Sequence, residues 1–176
     1  AAYTGSVIKN INLENCIVTS STDSRNIGAL AGLAYFCTIS NCYGFSNVTG
    51  GANTGGLIGF AFRSTIERCG SSGQVIGSFG VGGLAGSYEG NIVMDCYSSG
   101  TITAKGKAGG LIGSADGTNI QRSYSLSKIN TSTAGEHFGG LLGICSSTTI
   151  TNCFASGEIT SSHDGSYYGG LIGSNW

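Results

Sequence analysis

Proline is absent from all 176 residues, and only 10% of the chain is charged. Proline removes a ladder hydrogen bond from an interior strand, so its absence suits a chain built of continuous β ladders. Scarce charge and a formal net charge of −1 leave no basic face for nucleic acid. They also remove the charge repulsion that keeps many chains disordered. No run of about 18 apolar residues exists, so no helical membrane span is expected. The chain opens Ala1-Ala2-Tyr3-Thr4 without Met or a signal-peptide pattern, and is therefore expected to be a mature product or an excerpt.

Glycine is abundant, at 32 residues. It lacks the strict three-residue period of collagen. Its period is much longer. Gly55-Gly56-Leu57-Ile58-Gly59 returns at Gly82–Gly86, Gly109–Gly113, Gly139–Gly143 and Gly169–Gly173, with a looser copy at Gly28-Ala29-Leu30-Ala31-Gly32. Leu30, Leu57, Leu84, Leu111, Leu141 and Leu171 mark the copies, at steps of 27, 27, 27, 30 and 30. Twelve residues after each of the first five leucines stands Cys42, Cys69, Cys96, Ser123 or Cys153. Three residues before those stands Ile39, Ile66, Val93, Ile120 or Ile150, and six after them Val48, Val75, Ile102, Ile129 or Ile159. Counting back from Cys16 places a degenerate further copy at residues 2–6.

Each period carries three apolar patches too short for helices, rich in β-branched residues and bounded by Gly, Ser, Thr and Asn. One such unit cannot bury its apolar face alone, but a stack of units can. The sequence therefore predicts one domain over residues 1–176: an all-β parallel β-helix of about six coils, each of 27–30 residues with three short strands. Adjacent coils would lie ~4.8 Å apart. Glycines are expected at corners that need positive φ or close backbone approach.

The periodic Gly-Gly-Leu-x-Gly, with Asn41-Cys42-Tyr43 between copies, resembles the GLUG motif. That repeat occurs in bacterial surface proteins, large adhesins and IgA-specific metalloprotease precursors. The resemblance spans nearly the whole chain. Departures are Ala29 for the second glycine, Ser123 for the cysteine, Gly70 for the aromatic, and the degenerate start. The resemblance implies a cell-surface, non-catalytic repeat region.

Cys16, Cys42, Cys69, Cys96 and Cys153 share a phase and are expected to form a structural column, with Cys37 and Cys145 off it. Small interior side chains and disulfides between coils both fit that column. The residue before each column position reads Asn41, Arg68, Asp95, Arg122, Asn152, a ladder of alternating charge that would hold register. An aromatic row, Tyr43, Tyr97, Tyr124 and Phe154, is interrupted by Gly70. It fits stacking along the rod or a sugar-binding platform. Strand parity alone does not say whether the cysteines or the tyrosines face inward.

Length variation is confined to one corner. From the cysteine phase to the next Gly-Gly the separations in sequence are 12, 13, 13, 13, 16 and 16. Variable loops on one face of a solenoid often carry binding. The candidate ligand-facing residues there are Glu136, His137 and Phe138, with His163, Asp164, Tyr167 and Tyr168 on the next coil. Asn47 and Asn130 begin N-glycosylation sequons.

No catalytic constellation is expected, because the nine acids fall in scattered phases. No metal site or cofactor is expected either, since the cysteine phase lacks a Cys-x-x-Cys or a His pair. The threonines are too irregular for an ice-binding lattice. The expected function is that of a non-enzymatic, extracellular or cell-surface structural or adhesive module. Two alternatives stand beside it. One is a filament subunit that stacks head to tail with copies of itself, or with further repeats of the same chain. The other is a glycan- or host-protein-binding module that uses the variable corner.

Overall fold

The computed structural model describes residues 5–131, 136–162 and 167–176. Every described strand pairs in parallel with its equivalent in the neighbouring coil, giving a β-solenoid of about six coils. One face is built from Ala31–Tyr35, Ile58–Glu67, Ala85–Met94, Ile112–Gln121, Leu142–Ser146 and Ile172–Asn175. The second holds Val7–Thr19, Thr38–Thr49, Gly70–Gly77 and Tyr97–Ala104, continued by shorter strands through Ile159–Ser161. The third is narrow: Arg25–Ile27, Ala52–Gly55, Val81–Gly82, Ala108–Gly109, Phe138–Gly139 and Tyr168–Gly169.

Like residues stack on like. Leu57, Leu84, Leu111 and Leu141 are fully buried, as are Ile39, Ile66, Val93 and Ile120. Full burial of one such side chain contributes ~1.5–3 kcal/mol, so each added coil brings its own share of core. The second and third faces enclose a smaller core of Val75, Val81, Ile102, Ala108, Ile129 and Phe138.

The corners depart from the expectation of positive-φ glycines. Left-handed backbone recurs in three rows, mostly at residues other than glycine. One row is Asn10, Asn41, Arg68, Asp95, Arg122 and Asn152, with φ between 44° and 59°. A second is Phe36, Arg63, Gly90, Gly117 and Ser147; a third is Asn26, Asn53, Gly80, Lys107 and His137. Asn and Asp tolerate this region better than other non-glycine residues. The motif glycines answer a different need. A Cβ on Gly109 would lie 1.9 Å from the Ile112 carbonyl oxygen, and one on Gly110 would lie 2.1 Å from Ser125 Oγ. These glycines are required by close approach.

The first row of corners also settles which residues face inward. A left-handed residue between Ile39 and Cys42 resets the strand alternation. Isoleucine and cysteine both point into the core and Tyr43 points out.

Candidate functional site

The inward cysteines Cys42, Cys69 and Cys96 are fully buried, and all seven cysteines are free thiols. Each column thiol donates to the carbonyl two residues earlier, as Cys96 Sγ does to Met94 O at 3.2 Å. Ser123 keeps that bond in its own coil, its Oγ donating to Gln121 O at 2.8 Å. Burial pushes the Cys96 thiol well above its ordinary range and raises Cys42 as well. The hydrogen bond with Cys96 lowers Cys69 in the same row, but Cys69 is fully buried, and a reactive cysteine needs its thiolate in an accessible place.

Cys16 does not belong to the column. Ile11 pairs with Cys42, whereas Cys16 pairs with Ser46. The first coil is four residues longer than the 27-residue period: one extra residue is Asn15, a bulge with φ 54°, and three lie between Val18 and Asn26, so counting by phase misplaces the column. Val18 then pairs with Val48, back in register. This correction alters the corner profile. The true column position, Ile11, stands 17 positions before Gly28, whereas Cys16 stands only 12 before it. The first coil therefore holds a long corner segment, and the short corners lie in the middle of the rod.

Outside the column, the charged row forms a ladder. Arg122 holds Asp95 through two hydrogen bonds, of 2.7 and 2.9 Å. Arg68 Nε donates to Asn41 Oδ1, and Asn41 to Asn10 Oδ1. Arg122, hydrogen-bonded to it, holds the Asp95 carboxyl below the usual carboxylate range. The outward aromatic row stacks beside this ladder. Tyr97 and Tyr124 are 5.6 Å apart, Tyr124 and Phe154 4.9 Å. Gly70 does not break the row. A Cβ there would lie 2.2 Å from Tyr97 Cε1, so the Tyr97 ring covers the glycine and reaches towards Tyr43 at 6.3 Å.

The candidate residues of the variable corner separate. Phe138 is fully buried, a correction to its expected ligand-facing place. It pairs with Ala108, whose own partner is Val81, and so occupies an inward row of the third face. His137 is only 4% exposed and stacks on Tyr167 at 4.9 Å. Its Nε2 lies 3.5 Å from the exposed Glu136 carboxylate, and its Nδ1 has no partner among the described residues. Tyr167 and Tyr168 are exposed on the last coil. His163 and Asp164 lie outside the described residues. Asn47 and Asn130 both face solvent, and Asn47 Oδ1 accepts from Gln74 N at 3.1 Å. Among the described residues no three His, Cys, Asp or Glu side chains gather in a metal-binding geometry.

The sequence reading missed an apolar cluster on the first face. Leu33 pairs with Phe60 and Tyr35 with Phe62. Phe36 meets Phe62 edge-on at 5.8 Å, and Arg63 lies over that ring at 5.2 Å. The signal was available, since outward positions of that strand are serine or acidic in the next two coils: Ser87 with Glu89, then Ser114 with Asp116.

The GLUG motif model matches residues 77–103 of this chain. No curated protein matches it. Among solved structures, it is similar to a "putative immunoglobulin A1 protease" from Bacteroides ovatus, at 19% identity and a TM-score of 0.64. That likeness covers 97% of this chain and 66% of the other. At such identity it shows the fold alone.

Proposed function

We propose, with the GLUG repeat and its solenoid as the premise, that this chain is a non-enzymatic structural and adhesive module of an extracellular or cell-surface protein. One observation carries the reading. The interior rows and the Asn10-to-Asn152 corner continue from coil to coil, and their polar groups serve the stacking rather than converging on a site. A rod assembled this way has length and rigidity as its main products. The surface setting is supported by the motif and by the name of the structural neighbour, both linked to surface or secreted proteins in bacteria. Immunogold labelling and protease shaving of intact source cells test it. External label that shaving removes is expected; label confined to the cytoplasm would overturn the placement. Incubation with immunoglobulin A1 tests the non-enzymatic half, and cleavage by the purified chain would overturn that.

A second reading has its own observation. Inward rows reach the first and last described coils still exposed: Ile11 is 37% exposed and Leu171 38%. Exposed strand edges over an apolar layer recruit further strands. The partner would be another coil, from the same chain or from a second copy stacked head to tail. Electron microscopy of the native protein, with its intact mass, separates these. Fibres built from this chain alone favour self-stacking, while short rods belonging to a heavier chain favour continuation.

A further inference from the structure

Once the first coil is put in register, the variable corner is long in the first coil and short in the next three. Eight residues lead from Val18 to Asn26, but only five from Val48 to Asn53, from Val75 to Gly80 and from Ile102 to Lys107. The count returns to eight from Ile129 to His137. Three short corners thus follow a long one. The structure has a trough of about 480 Å³ there, lined by Thr22, Asp23, Arg25, Ala52, Ser78, Phe79 and Lys105. These residues come from four successive coils, so the trough runs about 14 Å along the rod at the inter-coil spacing.

We propose that this trough binds a carboxylated oligosaccharide, with Phe79 as the stacking platform and Arg25 as the carboxylate-recognising group. Phe79 is 55% exposed, yet held along one edge of its ring. A Cβ on Gly106 would lie 2.6 Å from its Cε1 and 2.8 Å from its Cδ1, so one edge of the ring packs against the next coil's backbone. An exposed ring held in one orientation supplies contact area at little entropic cost. Arg25 forms no ion pair among the described residues. Its guanidinium therefore gives the trough a group suited to a carboxylate. Thr22 and Ser78 add hydroxyls suited to sugar hydroxyls.

A peptide fits less well, because the corner backbone is already used between coils. Ala52 N donates to Ser24 O, Asn53 N to Phe79 O, Ser78 N to Gly51 O, and both Lys105 N and Gly106 N to Ser78 O. No strand can be added there, so recognition must go through side chains. The inference gives the adhesive half of the proposed function a location. It depends on that reading only for its biological setting.

The test is a 1H–15N NMR titration of the full chain with 3′-sialyllactose and with trigalacturonate, the two sources of a sugar carboxylate, and with lactose as the neutral control. Saturable shifts at residues 22–25, 52, 78–79 and 105–106 are expected for at least one acidic sugar. Its affinity should exceed that for lactose by about tenfold. Phe79→Ala and Arg25→Gln, both at exposed positions, should each weaken binding about tenfold. Gly106→Ala, which tilts the platform, should weaken it less, and Asp23→Asn should tighten it. No saturable binding of either acidic sugar, equal binding of lactose, or variants that bind like the parent would each overturn the proposal. Equal binding of a hexaglutamate peptide would overturn the glycan assignment. None of these failures bears on the rod or its cellular location, and a cytoplasmic location would leave in-vitro binding standing.

Discussion

Two corners of the same solenoid follow opposite rules. At the corner of Asn10, Asn41, Arg68, Asp95, Arg122 and Asn152, the four residues from the isoleucine row to the cysteine row never change in number. At the corner of Asn26, Asn53, Gly80, Lys107 and His137, the approach is five residues in some coils and eight in others. The first corner joins two rows of one core, so an extra residue would turn inward side chains outward. The second leads into a narrow strand of two to four residues, and extra length escapes into solvent. Constancy therefore marks the corner the core depends on, and variation marks the corner free to acquire a surface.

The sharpest way to break this comparison is a one-residue insertion at each corner. Alanine inserted between Asp95 and Cys96 should abolish cooperative unfolding, or lower stability by several kcal/mol, since it misplaces a buried row in mid-rod. The same insertion between Ser21 and Thr22 should change stability by less than about 1 kcal/mol. Urea unfolding followed by circular dichroism measures both. Similar losses at the two corners would refute the distinction.

Next in size is the core itself. Leu111 is fully buried in the middle of its row. Leu111→Ala should cost about 2–5 kcal/mol through lost burial and the cavity left behind. Leu171 occupies the same row in the last coil and is 38% exposed. Its alanine variant should cost less than half as much by the same unfolding measurement. An equal cost would mean that another coil covers the last one in solution, which would favour the self-stacking reading.

Shortening the variable corner tests its independence from the core. Deleting residues 21–23 brings the first coil's corner to the five-residue length of its neighbours. The midpoint of unfolding should move little, within about 1 kcal/mol. The wall of the trough would go with those residues, so binding of the acidic sugar should be lost while stability is kept.

The repeat, the inward leucine and isoleucine rows and the solenoid itself were legible in the sequence, because stacking demands identity at fixed spacing. Two kinds of information were not. Extra residues, one at the Asn15 bulge and three in the corner after Val18, shift phase without changing composition, so Cys16 stands where the count expects a column residue although Ile11 holds the place. Inward or outward orientation was lost at the left-handed corners, because one residue of positive φ cancels the strand parity on which the reading depends. Phe138 shows a related error. It follows a long polar corner and was read as part of it, but it begins the third-face strand and points inward. The trough was hidden by the Cys16 error, since the miscounted first coil looked like the shortest corner.

The smallest expected effect concerns the ladder that lines the constant corner. Arg122 and Asp95 are exposed, so their bonds are screened and add little to stability at neutral pH. That small contribution can be isolated by its pH dependence. The Asp95 carboxyl titrates below its ordinary range in the folded chain, through its hydrogen bonds with Arg122. A group with a depressed folded pKa contributes fully above its unfolded value, near 3.9, and loses that contribution as pH falls through the folded value. Thermal midpoints measured from pH 6 down to about 2 should therefore fall most steeply below about pH 4. Asp95→Asn should flatten part of that limb and lower the midpoint at pH 6 by the same small amount, so that the two chains converge at about pH 2. A profile unaltered by Asp95→Asn would show that the ladder contributes no net stabilisation, and that the constant corner owes its constancy to the core alone.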